Sequence, residues 1–280
     1  MSEFIQIMFW PFMASLIFVG IHVYFGLHII ERGVIFADLA LAQIAALGAG
    51  VGLALGYHLD SPESYWFSLA LTLVGAAIFA LTRLRKQIIM QEALIGIVYV
   101  VSSALLILIL SRSGEGTEHI HEMLVGNILL VTPHDVAVMF AIYSVIGVLH
   151  FIYRKQFWLI SQNPYAAFDK NINVRWWDFL FYVSLGIVVT SSVKMAGVLL
   201  VFSFLVIPVV CAMLFAKAPQ MRLLLGWIIG SIAILIGMAV SYYGDYPTGA
   251  AVVVVFGGVL VLCGLGHVYF NRAKIDNSRS

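Results

Sequence analysis

The stretch Gly33–Gly56, GVIFADLALAQIAALGAGVGLALG, carries two polar residues, Asp38 and Gln43, in a run otherwise apolar and long enough to cross a bilayer. A carboxylate in such a run costs several kcal/mol unless it is paired, hydrated or bound to a cation, so an acid there is a candidate functional group. Two readings of Asp38 stand on the residues alone. Either it caps a helix near one membrane face, with Gln43 as interhelical hydrogen-bonding glue, or it handles an ion. Downstream, Gly48, Gly52 and Gly56 recur every four residues. Such a row lets another backbone approach closely, and predicts a helix buried in a bundle or at a subunit seam.

Outward from this run the chain reads the same way. Of its 280 residues 62% are hydrophobic and 10% charged, against roughly a quarter charged in a soluble domain. The composition predicts an all-α polytopic membrane protein in a lipid bilayer, and the net charge of +1 points to no nucleic acid. Polar punctuation marks off about nine spans: Met8–Ile30, Ile35–Tyr57, Tyr65–Thr82, Ala93–Leu110, Val136–Tyr153, Trp177–Val193, Met195–Ala216, Leu223–Tyr243 and Gly249–Phe270. Met123–Val131 is too short to cross and reads as a re-entrant or interfacial turn. Lys194 reads as a tight bend, and Pro208 is expected to kink or break its span. Residues 1–280 form a single transmembrane domain on this reading.

Lysine and arginine set the expected orientation. One group of loops holds Arg32, Arg83, Arg85, Lys86, Arg154, Lys155, Lys170, Arg175, Lys217, Arg222, Arg272, Lys274 and Arg279; the other holds only Arg112 and Lys194. The first group is assigned to the cytoplasm, with the N-terminus outside and the C-terminus inside. Cys211 and Cys263 lie in separate apolar runs without metal or redox spacing, and read as small core residues. The N-terminal MSEFIQIMFW lacks the features of a cleaved signal peptide. The chain carries no GxxxxGK[ST] phosphate loop and no HExxH or GxSxG motif, so it reads as a non-enzyme whose ATPase, if it has one, is a separate chain.

Other polar groups divide into functional and bland readings. His22 near mid-membrane is a costly choice; His28 and Glu31, three apart, are placed to pair. The outer loop EGTEHIHE gathers Glu118, His119, His121 and Glu122, either a weak divalent-cation site at the ion's entrance or simply a polar loop. In the cytoplasmic segment 154–175, Asn163 is a good N-cap and Pro164 suits the first helical position. Tyr165 and Phe168 give residues 164–169 a small apolar face, on a helix too short to stand alone. An interfacial loop is the alternative there. In SYYGDYPTGAAV, Asp245 sits at an outer helix entrance where turn chemistry explains most of the motif.

Together these residues resemble the integral membrane permeases of the manganese/zinc/iron-type metal ABC uptake transporters. The resemblance runs from about Gly26 to about Gly266, through FADLALAQIAALG, EALIGIVYVVSSAL (Glu92–Leu105), Leu124–Asp135, Asn163–Asp169, GVLLVFSFLVIPVVCA (Gly197–Ala212) and SYYGDYPTG (Ser241–Gly249). It implies an ABC importer permease fold in a bacterial cytoplasmic membrane, working as a homodimer. Its implied partners are two cytoplasmic ABC ATPase subunits, which bind the ATP, and an extracytoplasmic solute-binding protein. No cofactor is held permanently; the cargo is Zn²⁺, Mn²⁺ or Fe²⁺. Asn163, Pro164, Tyr165 and Phe168 fall in the segment matching the coupling helix that docks on the ATPase. The family's ion path passes an aspartate and a histidine four residues apart at the start of the second span. Anchored on Gly48 and Gly52, Gln43 stands at the histidine's place and Leu39 at the aspartate's; anchored on Asp38, Ala42 stands at the histidine's. Asp38, Gln43 and His22 are carried forward as pathway candidates. Two other readings compete with a metal importer. One is an ABC permease with a non-metal cargo, and the other is a secondary transporter in which Asp38 and His22 relay protons.

Overall fold

The computed structural model describes residues 3–58, 61–83, 89–111, 126 and 128–277, with side chains as far as residue 269. Regular structure among them is helical: α1 (Glu3–Arg32), α2 (Ala37–Ala54), α3 (Pro62–Leu81), α4 (Gln91–Leu110), α5 (Pro133–Ile152), α6 (Arg154–Gln162), α7 (Pro164–Asp169), α8 (Val174–Ala196), α9 (Val198–Phe215), α10 (Pro219–Gly244) and α11 (Thr248–Asn277), with a 3₁₀ turn at Ile128–Leu130. Among the described residues, nine helices, all but α6 and α7, are long and apolar enough to cross a membrane. The chain is an all-α polytopic membrane protein.

Local structure departs from expectation in three places. Lys194 lies inside α8; the chain turns instead at Gly197, whose φ of +77° is unfavourable for any residue with a Cβ. Gly126 packs against this turn so closely that a Cβ on it would collide with the backbone of Ala196 and Gly197. Second, α9 runs through Pro208 unbroken, because a bundle re-satisfies the backbone group a proline frees. Third, the connection after α5 is not a loop with one short helix, for α6 precedes α7. Phe157, Ile160 and Ser161 are buried along one face of α6 while Arg154, Lys155 and Gln162 are exposed, the spacing of an amphipathic helix. Of the expected re-entrant piece Met123–Val131, the described part is Gly126 and the residues from Ile128 onward, which open on the 3₁₀ turn.

The chain forms two compact units. One comprises His28–Gly126 and Val138–Val198. Here α2 packs on α3, α4 and α8, and α3 on α8. A Cβ on Gly48 would lie 2.5 Å from the Phe67 carbonyl oxygen and Ser68 Cα, and one on Gly52 2.8 Å from Ser64 Oγ. Gly48 and Gly52 are therefore covered by α3 of the same chain, the bundle alternative of the two expected for the row. Gly56 does not continue the row: its φ is +92°, no atom comes within 4 Å of where its Cβ would stand, and it lies just past the end of α2. Hydroxyls cross-link this unit, Thr72 with Thr190 at 3.3 Å and Tyr143 with Ser191 at 2.9 Å.

The other unit comprises Met1–Leu27, Asn127–Ala137 and Leu199–Ser280. Small residues again permit the contacts. A Cβ on Gly26 would strike the Leu205 carbonyl, and one on Gly237 would come within 2.7 Å of Val252 Cα. Trp227 Nε1 donates to the Gly20 carbonyl at 3.0 Å, tying α10 to α1.

Candidate functional site

The start of α2 is built around carboxylates. Phe36 stands at the N-cap without a side-chain cap, so the helix N-terminus needs an acceptor from elsewhere. Glu92 of α4 supplies it: its Oε1 accepts the Phe36 backbone N–H at 3.1 Å. Asp38, in the first turn of α2, is 2% exposed. The backbone N–H groups of Asp38 and Leu39 face its carboxylate, and the helix dipole favours negative charge there. Its Oδ1 is nevertheless buried with no hydrogen-bond partner, as is Oε2 of Glu92, and the two carboxylates are close enough to repel. Two neighbouring acids, each with a bare buried oxygen, are short of positive charge.

Gln43 does not join Asp38. Five residues apart, the two diverge around the helix. Gln43 is half-buried in line with Leu39 and Leu47, on the face of α2 that its own neighbours leave partly open, while Asp38 turns inward. His22 is fully buried in α1, with Nδ1 2.8 Å from the Phe18 carbonyl and its ring edge-on to Phe18. It belongs to the unit containing α10 and α11, whereas Asp38 and Gln43 belong to the unit containing α3 and α4. Among the described residues, no three His, Cys, Asp or Glu side chains converge in a metal-holding group.

A second polar assembly was not anticipated from the sequence. Asp178, near the start of α8, takes Arg32 Nη1 from the end of α1 at 2.6 Å and Arg83 Nε from beyond α3 at 3.2 Å, with all three side chains almost completely buried. Arg32 Nε donates to Ser161 Oγ at 2.8 Å, and its guanidinium lies 3.8 Å over the Phe181 ring. His28 Nδ1 also meets Ser161 Oγ, at 2.8 Å. The available signal was Asp178 itself, an acid just inside the expected span Trp177–Val193.

This cluster is the floor on which α7 stands. Asn163 Oδ1 accepts the Ala166 N–H at 3.0 Å and Pro164 takes the first turn. Ala167 packs with Ile160 and Val174, and Phe168 lies against them. Tyr165 is 57% exposed. The two aromatics differ in exposure: Phe168 anchors the helix and Tyr165 is presented. A polar cavity of about 150 Å³ separates Tyr165 and Phe168 from Arg32, Arg83 and Ser161.

At the turn after α10, Asp245 is exposed with φ +53° and ends the helix. Ser241 Oγ donates to the Tyr246 carbonyl at 2.8 Å and meets Thr248 Oγ1 at 2.7 Å. Asp245 is therefore a helix-terminating residue of a hydrogen-bonded turn. Glu118, His119, His121 and Glu122 lie outside the described residues.

A family model described as the ABC 3 transport family matches residues 4–265. The chain belongs to that family. Among its relatives, the manganese transport system membrane protein MntC of Listeria innocua is 26% identical over 237 residues, covering 82% of this chain and 80% of that protein. The manganese import system permease protein ScaB of Streptococcus gordonii is 26% identical over 229 residues, covering 81% and 80%. The fold is similar to that in the structure of PsaBC from Streptococcus pneumoniae in complex with Fab, with a TM-score of 0.71, 24% identity, and coverage of 93% of this chain and 91% of that one.

Proposed function

We propose that this chain is the membrane-spanning permease subunit of an ATP-binding-cassette importer for a divalent transition metal, with manganese the first cargo to test. The observation that carries the reading is the extent of the family match, residues 4–265, beside relatives that are named for manganese transport. The same match favours the permease reading over a secondary transporter. In this reading the protein itself breaks no bond: ATP is hydrolysed on separate cytoplasmic ATPase subunits, an extracytoplasmic solute-binding protein delivers the ion, and two copies of the chain form the pathway. Asp38 and Gln43 are pathway residues with different roles. Asp38, with Glu92, offers hard oxygen ligands that suit Mn²⁺. Gln43 presents a neutral oxygen on the partly open face of α2. Tyr165 of α7 is the contact offered to the ATPase.

The basic loops assign the ends of α1 and α3 and the start of α8 to the cytoplasm. That assignment is supported by Arg32, Arg83 and Asp178 meeting at one end of their helices. The test is metal analysis of manganese-limited cells. Deleting the gene lowers cell manganese, the native chain restores it, and Asp38→Ala at equal membrane abundance restores little. Unchanged manganese in the deletion strain would overturn the reading.

A further inference from the structure

Cys211 and Cys263, read from the sequence as unrelated core residues, are brought together by the fold. Two ring contacts join α9 to α11, Phe204 with Phe256, edge-on at 5.7 Å, and Phe215 with His267, edge-on at 6.1 Å, and Cys211 and Cys263 neighbour each other in the layer between them. In each pair the α11 residue follows its α9 partner by the same 52 positions. A constant offset means that the two helices run parallel and in register. The steps from layer to layer, seven residues and then four, are those that return side chains to one helix seam. The cysteines thus occupy a defined layer with an aromatic contact on either side. Both are free thiols; Cys211 is buried and Cys263 partly open.

We propose that Cys211 and Cys263 are a disulfide-forming pair, oxidised within the membrane by a lipid-soluble hydroperoxide. The partly open Cys263 meets the oxidant first. Its sulfur takes the terminal oxygen of the peroxide as the O–O bond breaks, giving a sulfenic acid and releasing an alcohol. The Cys211 sulfur then attacks the Cys263 sulfur, the S–S bond forms, and the sulfenic oxygen leaves as water with the Cys211 proton. Two electrons pass in all from the sulfur pair to the peroxide. The lipid surroundings admit an apolar peroxide and exclude hydrophilic thiol reductants, so the link persists longer than an exposed one. Once made, it staples together α9 and α11, which α10 separates in the chain. The pair belongs to a different unit from Asp38 and α7, so the inference does not depend on the transport reading.

The test uses membranes containing the full-length chain, exposed to tert-butyl hydroperoxide, then denatured and alkylated. The expected result is that both thiols escape alkylation, the intact chain loses the mass of two hydrogen atoms, and a reductant restores both reactive thiols. In Cys211→Ser, Cys263 has no partner and its sulfenic acid is trapped by dimedone. Three results would overturn the proposal: both thiols still alkylating after saturating oxidant, a link found between two chains rather than within one, or added oxygen without a crosslink.

Discussion

At the scale of single residues, the most consequential group is Asp178. It neutralises two buried guanidiniums that enter from different helices, and removing one partner of such a cluster strands the others in a low-dielectric site. Asp178→Asn is therefore expected to lower stability by about 3–5 kcal/mol, read as reduced denaturant resistance of the detergent-solubilised protein. A variant as stable as the native chain would mean that water reaches both arginines. Asp178 was legible only in part. An acid beside an apolar run is visible in sequence, but its partners lie 146 and 95 positions away, and no local pattern announces pairing at that separation. Asp38 is the opposite case. Its cost was plain from its neighbours, while the inward turn toward Glu92 and the outward turn of Gln43 required the helix to be set against α4.

At the scale of elements, close approach of backbones decides which helix faces which. Gly48→Ala places a Cβ 2.5 Å from backbone atoms of α3, so the two helices must part. The expected loss is about 1–3 kcal/mol, measured by thermal unfolding. Gly96→Ala, in α4 with open space around it, is the control and should be neutral or mildly stabilising. The short helix α7 depends on its cap in a similar way. Asn163→Ala removes the acceptor for Ala166 N–H and costs about 1 kcal/mol. On the proposed function it also weakens co-purification of the ATPase, while Asn163→Asp preserves it. Ordinary co-purification with the alanine variant would separate α7 from ATPase docking. The cap and the proline were readable because capping is a local rule. That Phe168 is packed and Tyr165 exposed was not, because α6 and α8 decide it.

At the scale of the molecule, the helix count follows from hydropathy and the proposed orientation from charge. A membrane-impermeant maleimide tests the latter. Asp245→Cys, at the turn between α10 and α11, should label in intact cells, and Tyr165→Cys only after the membrane is opened. The reverse pattern would invert the topology. Hydropathy made the spans legible because each apolar run must cross the bilayer by itself. It could not reveal the two compact units or the in-register seam of α9 and α11, which depend on contacts between distant runs.

The ion cluster has a consequence for biogenesis. Arg32 and Arg83 each flank a span that enters the membrane before α8 has been made. At that moment neither has Asp178 beside it, and on the proposed orientation each is among the cytoplasmic cations that direct a helix's insertion. Only when α8 arrives with Asp178 are they drawn together and shut from water, in the later of two stages by which helices insert and then associate. On the proposed orientation, the same two guanidiniums act first as topogenic signals and afterwards as structural ones. Replacing either should produce misinserted chains as well as weakly assembled ones, and Asp178 substitutions only the latter.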